Sequence, residues 1–310
     1  MGPIRIGVAA TVCFLAFPSF ADPRSQSFPD LSKINGHTLP AQHQYAICPM
    51  NEPAKTHISA IDASQQIDET FVDQALAHDV QVIFRYYDWP SVPGEKWKYS
   101  TNPVKEIQDK ENQSCFRGPT KFNSQFDLPW KSGETLLGKT LTPTERDLIL
   151  SKNLAIGTVF QHCNNQPETF SDTKRASFDA QRALDLANDL GQPPGTAIFF
   201  GVDLPVDEAQ FEPVEAYIGA VQKKIEGGGF VLGVYGNGFT CSKLANTVKY
   251  CWLSQSTGHP GSQEYAKKSD WDILQCLPRD PFPTGGPDFD INIFNERKSP
   301  IPFWKAARTK

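Results

Sequence analysis

From residue 58 onward, eight short apolar runs occur, with stretches of helical periodicity between most of the early ones. The runs are Ile58 to Asp62, Val80 to Tyr87, Leu154 to Phe160, Thr196 to Val202, Phe230 to Tyr235, Tyr250 to Ser254, Asp272 to Leu277 and Phe289 to Phe294. Thr196 to Val202 is continuously apolar, the pattern of a strand buried on both faces. Between the runs lie amphipathic stretches. Phe211, Val214, Ile218, Val221 and Ile225 recur at helical spacing, and Ala180, Ala183, Leu184, Ala187 and Leu190 share one face. Thr142-Pro143-Thr144-Glu145 supplies an N-cap, a first-turn proline and a first-turn acid. A further helix is expected near Ser242–Lys249. Strands alternating with helices imply a parallel sheet, and eight units in this length predict an α/β fold, a single (β/α)8 TIM-type barrel. A doubly wound open sheet is the alternative, because the last two connections are short on helix.

The pattern also sets domain limits. Arg5, the apolar run Ile6 to Phe17 and the small residues Ser19 and Ala21 read as a cleaved signal peptide over residues 1–21. That run is shorter than the roughly 20 residues of a membrane span, and no later segment offers one. The expected location is therefore secreted or periplasmic. Residues 22–57 form an N-terminal extension without periodicity, 58–296 the barrel, and 297–310 a short basic C-terminal tail. A long insertion after the second strand, residues 88–140, opens onto the face where barrel enzymes carry their sites. Its Trp89, Trp97, Tyr99 and Trp130 suit either sugar stacking or anchoring of the loop. Asn112-Gln113-Ser114 within it fits a glycosylation sequon.

Composition narrows the function. With 30 Lys+Arg against 35 Asp+Glu and a net charge of −5, the chain lacks the basic surface of a nucleic-acid or anionic-membrane binder. Of seven cysteines, Cys13 leaves with the signal. Cys48, Cys115, Cys163, Cys241, Cys251 and Cys276 remain, an even set that predicts disulfides in an exported protein. Cys241 and Cys251, ten residues apart, are the first pair to expect. No Cys-x-x-Cys or His-x-x-x-His spacing points to a metal, and no nucleotide loop or nucleophile elbow occurs. No metal and no cofactor are expected.

Polar residues stand at the ends of the apolar runs: Asp62, then Arg85-Tyr86-Tyr87-Asp88, Gln161-His162, Asp203, Tyr235, Gln255 and Gln275, with Asp290 and Asn292 in the eighth. A carboxylate ending an apolar run is costly to bury alone. Convergence of Asp62, Asp203 and Asp290 would raise the pKa of at least one, and paired carboxylates sharing a proton are the apparatus of glycoside hydrolysis. These three are the candidate catalytic residues. Arg85 and Tyr86 are expected to shape the base of the pocket, and Gln161, Tyr235, Gln275 and Asn292 to meet sugar hydroxyls.

Ile61-Asp62, Phe84-Arg85-Tyr86-Tyr87, Leu141-Thr142-Pro143-Thr144-Glu145, Ser177-Phe178-Asp179-Ala180, Ile198 to Asp203, Gly233-Val234-Tyr235-Gly236, Trp252 to Ser256, Trp271 to Gln275 and Asp290-Ile291-Asn292 occur in that order. Over about residues 58–296 the series resembles the secreted glycoside hydrolase-like domain related to the family 25 glycoside hydrolases, the lysozyme-type muramidases. The resemblance implies a TIM-type barrel, a carbohydrate-directed pocket and no required metal. Asp62 matches the acid ending the first strand, Asp203 the first acid of the fourth-strand Asp-x-Glu, and Asp290 the eighth-strand acid. The glutamate of that motif is the family's proton donor, and here Pro205 stands in its place. Glu208 is a candidate displaced acid, unless it simply begins the next helix. Three readings follow. One is an exported glycosidase acting on a cell-wall or related glycan. The others are a non-catalytic glycan-binding barrel and an envelope protein that meets a partner through its surface.

Overall fold

The computed structural model describes residues 60–88, 140–171, 173–276 and 289–307, together with two short paired strands, Lys33–Ile34 and His37–Thr38. The signal segment, the remainder of the extension and the insertion with its aromatics and sequon lie outside the described residues. No described helix is long and apolar enough to cross a membrane.

Eight strands close a barrel: β1 (Ala60–Ala63), β2 (Val82–Tyr87), β3 (Ala155–Phe160), β4 (Ala197–Gly201), β5 (Val231–Gly236), β6 (Tyr250–Leu253), β7 (Ile273–Cys276) and β8 (Phe289–Phe294). Each coincides with one of the eight apolar runs. Around them pack α1 (Glu69–Ala77), α2 (Pro143–Ser151), α3 (Thr173–Leu190), α4 (Phe211–Gly227), α5 (Gly238–Lys243) and α6 (Ser262–Lys268). The expected N-cap and first-turn acid stand at α2 and close into a capping box, with Thr142 and Glu145 exchanging side chain and backbone bonds. The helix expected at Ser242–Lys249 instead begins at Gly238, because Asn237 Oδ1 accepts from Thr240 N and caps it there.

One strand departs from the expected parallel order. Strands β1 to β7 pair in parallel, whereas β8 runs antiparallel to both β7 and β1. A parallel return needs a crossover of a dozen or more residues, usually helical, and the short connection before β8 does not supply the pattern of one. The reversal has a direct effect on the mouth, the end where β1 to β7 finish. There β8 begins, so Asp290, its second residue, is the register partner of Asp62.

Alternate residues of each strand point into the barrel. Its interior is aromatic: Phe84, Phe199 and Trp252 are fully buried, with Phe84 4.4 Å from Trp252 and 5.8 Å from Phe199 between ring centroids. Glycines make the room. A Cβ on Gly157 would lie 2.4 Å from the Phe84 ring, and one on Gly233 2.5 Å from the Phe199 ring.

The segment expected as a basic tail closes the opposite end. Ile156 and Trp304 exchange backbone hydrogen bonds of 2.8 and 3.1 Å, and Ala197 N donates to the Pro302 carbonyl at 2.9 Å. Phe303 then stacks on Phe294 and meets Phe84 edge-on at 5.4 Å. Cys241 and Cys251 form the expected disulfide between α5 and β6, and Cys163 and Cys276 each take part in a separate disulfide.

Candidate active site

Above the aromatic floor the inward-facing residues turn polar. Asp62, the third residue of β1, is 3% exposed and accepts three hydrogen bonds. Tyr86 Oη donates to its Oδ1 at 3.0 Å, while Asn292 Nδ2 and Gln275 Nε2 donate to Oδ2 at 2.8 and 3.2 Å. The same Gln275 nitrogen donates to Asp290 Oδ2 at 3.0 Å, so the two carboxylates lie no further apart than two hydrogen-bond lengths. Gln255 Nε2 reaches the other Asp290 oxygen at 3.3 Å.

The amides are oriented by their own partners. Gln275 Oε1 accepts from Tyr235 Oη at 2.8 Å, and Asn292 Oδ1 accepts from Trp252 Nε1 at 2.7 Å. Each therefore presents its NH2 group to the acids. Burial first, then the charge of Asp290, pushes the Asp62 carboxyl up to about 7, against the lowering effect of its three donors. Tyr86 and Tyr235 are held well above the ordinary phenol range, chiefly by burial and further by the surrounding carboxylates, so both remain donors. The arrangement keeps one proton on the Asp62–Asp290 pair near neutral pH.

Asp203 stands across the mouth. It lies just beyond β4, four strands from β8 around the ring, and is exposed. Gln161 Nε2 donates to its Oδ2 at 3.2 Å, and its charge acts on both Tyr86 and Tyr235. The three acids thus line one opening, two of them directly coupled and the third opposite.

Two of the expected site residues lie elsewhere. Arg85 does not shape the pocket. Strand alternation turns it outward between Phe84 and Tyr86, where it is fully buried and pairs with Glu145 of α2 at 2.9 Å. It also donates from Nε to Glu145 Oε1 at 3.0 Å and from a terminal nitrogen to the Ala63 carbonyl. Glu208 is not drawn to the other acids: its carboxylate pairs with Lys243 at 2.9 Å and is 76% exposed. Asp88 and His162, at the exits of β2 and β3, pair with each other, Oδ1 to Nδ1, at 2.6 Å.

Trp252 and Gln255 join the site although the sequence assigns neither of them a role. Both belong to the run Trp252-Leu253-Ser254-Gln255. The signal for Trp252 is its place as the penultimate residue of β6, an indole needing an acceptor in an apolar interior. Among the described residues no cluster of three or more His, Cys, Asp or Glu side chains could hold a metal ion.

Comparison with known proteins agrees with this fold. The fold is similar to that of the Mycobacterium tuberculosis Tat-secreted protein Rv2525c. The crystal structure of Rv2525c in complex with HEPES gives a TM-score of 0.54 at 17% identity, covering 79% of this chain and 98% of that one. Its complex with L-tartrate gives 0.55 at 17% identity, covering 80% and 100%. At that identity the likeness is one of fold. No curated protein matches the sequence. Residues 128–288, a little over half of the chain, match the family described as Rv2525c-like, glycoside hydrolase-like domain. The chain belongs to that glycoside hydrolase-like family.

Proposed function

We propose that this protein is an exported glycosidase that cleaves a cell-wall or related glycan by carboxylate acid–base chemistry. The observation that carries the reading is the buried Asp62 at the mouth, joined to Asp290 through Gln275 Nε2 and pushed up to about 7, with Asp203 across the opening. Asp290, half-buried, and Asp203, exposed, are the acids that meet the sugar. Asp62 lies beneath and sets when the pair gives up its proton. Glycoside hydrolysis needs such a division, with one carboxyl donating to the leaving oxygen and another carboxylate stabilising positive charge at the anomeric carbon or activating water. Gln161, Tyr235 and Gln275 position hydroxyls, while Tyr86 and Asn292 hold Asp62.

Peptidoglycan is the favoured substrate, on the likeness of Asp62, Asp203 and Asp290 to the acids of the muramidases. Export is supported by the Arg5–Ala21 segment and by the disulfides, which persist in oxidising compartments. The test is release of new reducing ends from peptidoglycan and from chitooligosaccharides by the purified protein, with loss of product in Asp203→Asn and Asp290→Asn. Absence of product from both glycans overturns the reading.

A second reading is favoured by one specific observation. Pro205 occupies the donor position, and Glu208 is engaged with Lys243 rather than replacing the donor. A barrel that binds glycan without cutting it would give calorimetric binding of chitooligosaccharides with no turnover, weakened by substitution of Trp97 or Trp130.

A further inference from the structure

The exits of β4, β5 and β6 are knitted into one ledge beside Asp203, and the ledge carries an imidazole. Asn237 Nδ2 donates to the Val206 carbonyl at 2.8 Å, tying the segment after Asp203 to the start of α5. Phe239 N donates to the Pro260 carbonyl at 2.9 Å, and Gly238 N to Ser262 Oγ at 3.1 Å, tying the segment after β6 to the same place. The approach is so close that a Cβ on Gly238 would lie 2.2 Å from the Gly261 carbonyl oxygen, and Gly261 itself takes φ 71°. His259 stands in this pinned segment, its backbone N donating to the Ser256 carbonyl at 3.1 Å. Its ring is half-buried, has no hydrogen-bond partner among the described residues, and feels the charge of Asp203.

We propose that His259 is the proton-accepting partner of Asp203, a fourth member of the catalytic mouth in a chain whose expected donor position is Pro205. The inference rests on the hydrolytic reading above. Neutral His259 takes a proton from the attacking water as the water oxygen bonds to the anomeric carbon. The glycosidic C–O bond breaks with its electron pair staying on the leaving oxygen, which receives the proton held by Asp62 and Asp290. The proton on His259 then returns to the carboxylate pair through water.

Burial holds the His259 ring below its ordinary value of 6.5, and Asp203 is the one charged group that opposes this shift. Nearby charges lie at the surface: Lys243 and Glu208 pair with each other, and Glu264, Lys267 and Lys268 of α6 are exposed. The rate should therefore rise as His259 loses its proton below pH 6.5, and fall as the Asp62–Asp290 pair loses its own near 7.

Two measurements test the role. In a ring-nitrogen NMR titration, Asp203→Asn should move the His259 midpoint further down, and an unmoved midpoint overturns the pairing. On peptidoglycan and chitooligosaccharides, His259→Ala should lose about 100-fold or more in kcat with KM little changed, and added imidazole should restore part of it. Wild-type turnover in His259→Ala or in His259→Gln, or a loss in His259→Ala that imidazole leaves unrelieved while the fold is intact, overturns the proposal alone. A wild-type protein without turnover defeats the hydrolytic reading and this role together.

Discussion

Asp62 and Asp290 are register partners on antiparallel strands, and a single amide nitrogen of Gln275 donates to both. Burial first, and then the charge of Asp290 that the reversed β8 delivers to the mouth, push the Asp62 carboxyl up to about 7.

The first prediction concerns Asp62. Its carboxyl titrates near 3.8 when unfolded and about 7 when folded, so between these values the folded state binds more protons. The stability it contributes is full below pH 3.8 and is lost as pH rises to about 7. Asp62→Asn imitates the protonated acid. Its oxygen can accept from Gln275 and Asn292, and its NH2 can donate to Tyr86, whose hydroxyl turns to accept. Urea unfolding should find the variant more stable than wild type at pH 8 by on the order of 3–4 kcal/mol, and equal to it at pH 4. A difference independent of pH would refute this.

Arg85 gives the second. Desolvation lowers its pKa against the pull of Glu145, and the pair braces the α2 capping box from the back of β2. Arg85→Ala leaves a buried carboxylate unpaired and should cost about 3–5 kcal/mol, with the Arg85→Met/Glu145→Met double variant recovering most of it. Glycan binding by the double variant should match wild type, since Arg85 faces away from the mouth.

Much of this was legible in the chain. All eight strands were, because a strand buried on both faces must be a continuous apolar run. The three acids were too, since a carboxylate ending such a run has few destinations. The direction of β8 was not, because an apolar run reads the same for either orientation. Arg85 was misplaced for a related reason. Adjacency to Tyr86 suggested a shared pocket, whereas the two-residue period of a strand sends neighbours to opposite faces. Residues 301–304 looked like tail because Ile301, Phe303 and Trp304 form too short a run to register as an element.

Gly157 supplies the third prediction. Gly157→Ala drives a methyl group to 2.4 Å from the Phe84 ring and should cost about 1–3 kcal/mol in chemical denaturation. Adding Phe84→Leu should make the Gly157→Ala step cheaper than it is in wild type, a coupling that a double-mutant cycle would measure.

The fourth concerns the floor. Phe303 is half-buried against Phe84 and Phe294, and Phe303→Ala should lower stability by about 2 kcal/mol without altering the pH dependence that Asp62 imposes. Thermal unfolding at pH 5 and pH 8 would test both halves of that statement.

The reversed strand also governs when the site can come into being. Asp62 finds its Asn292 partner 230 positions later in the chain, and β1 has no neighbour on one side until β8 arrives. Contacts of such span carry a large loop-closure cost and form late. As synthesis proceeds from the N-terminus, the first acid of the mouth waits with Tyr86 alone among its three donors for nearly the whole barrel. Closure of the wall and pairing of the two acids are then one event, so a chain interrupted before β8 keeps most of its strands and only Asp62 of the pair.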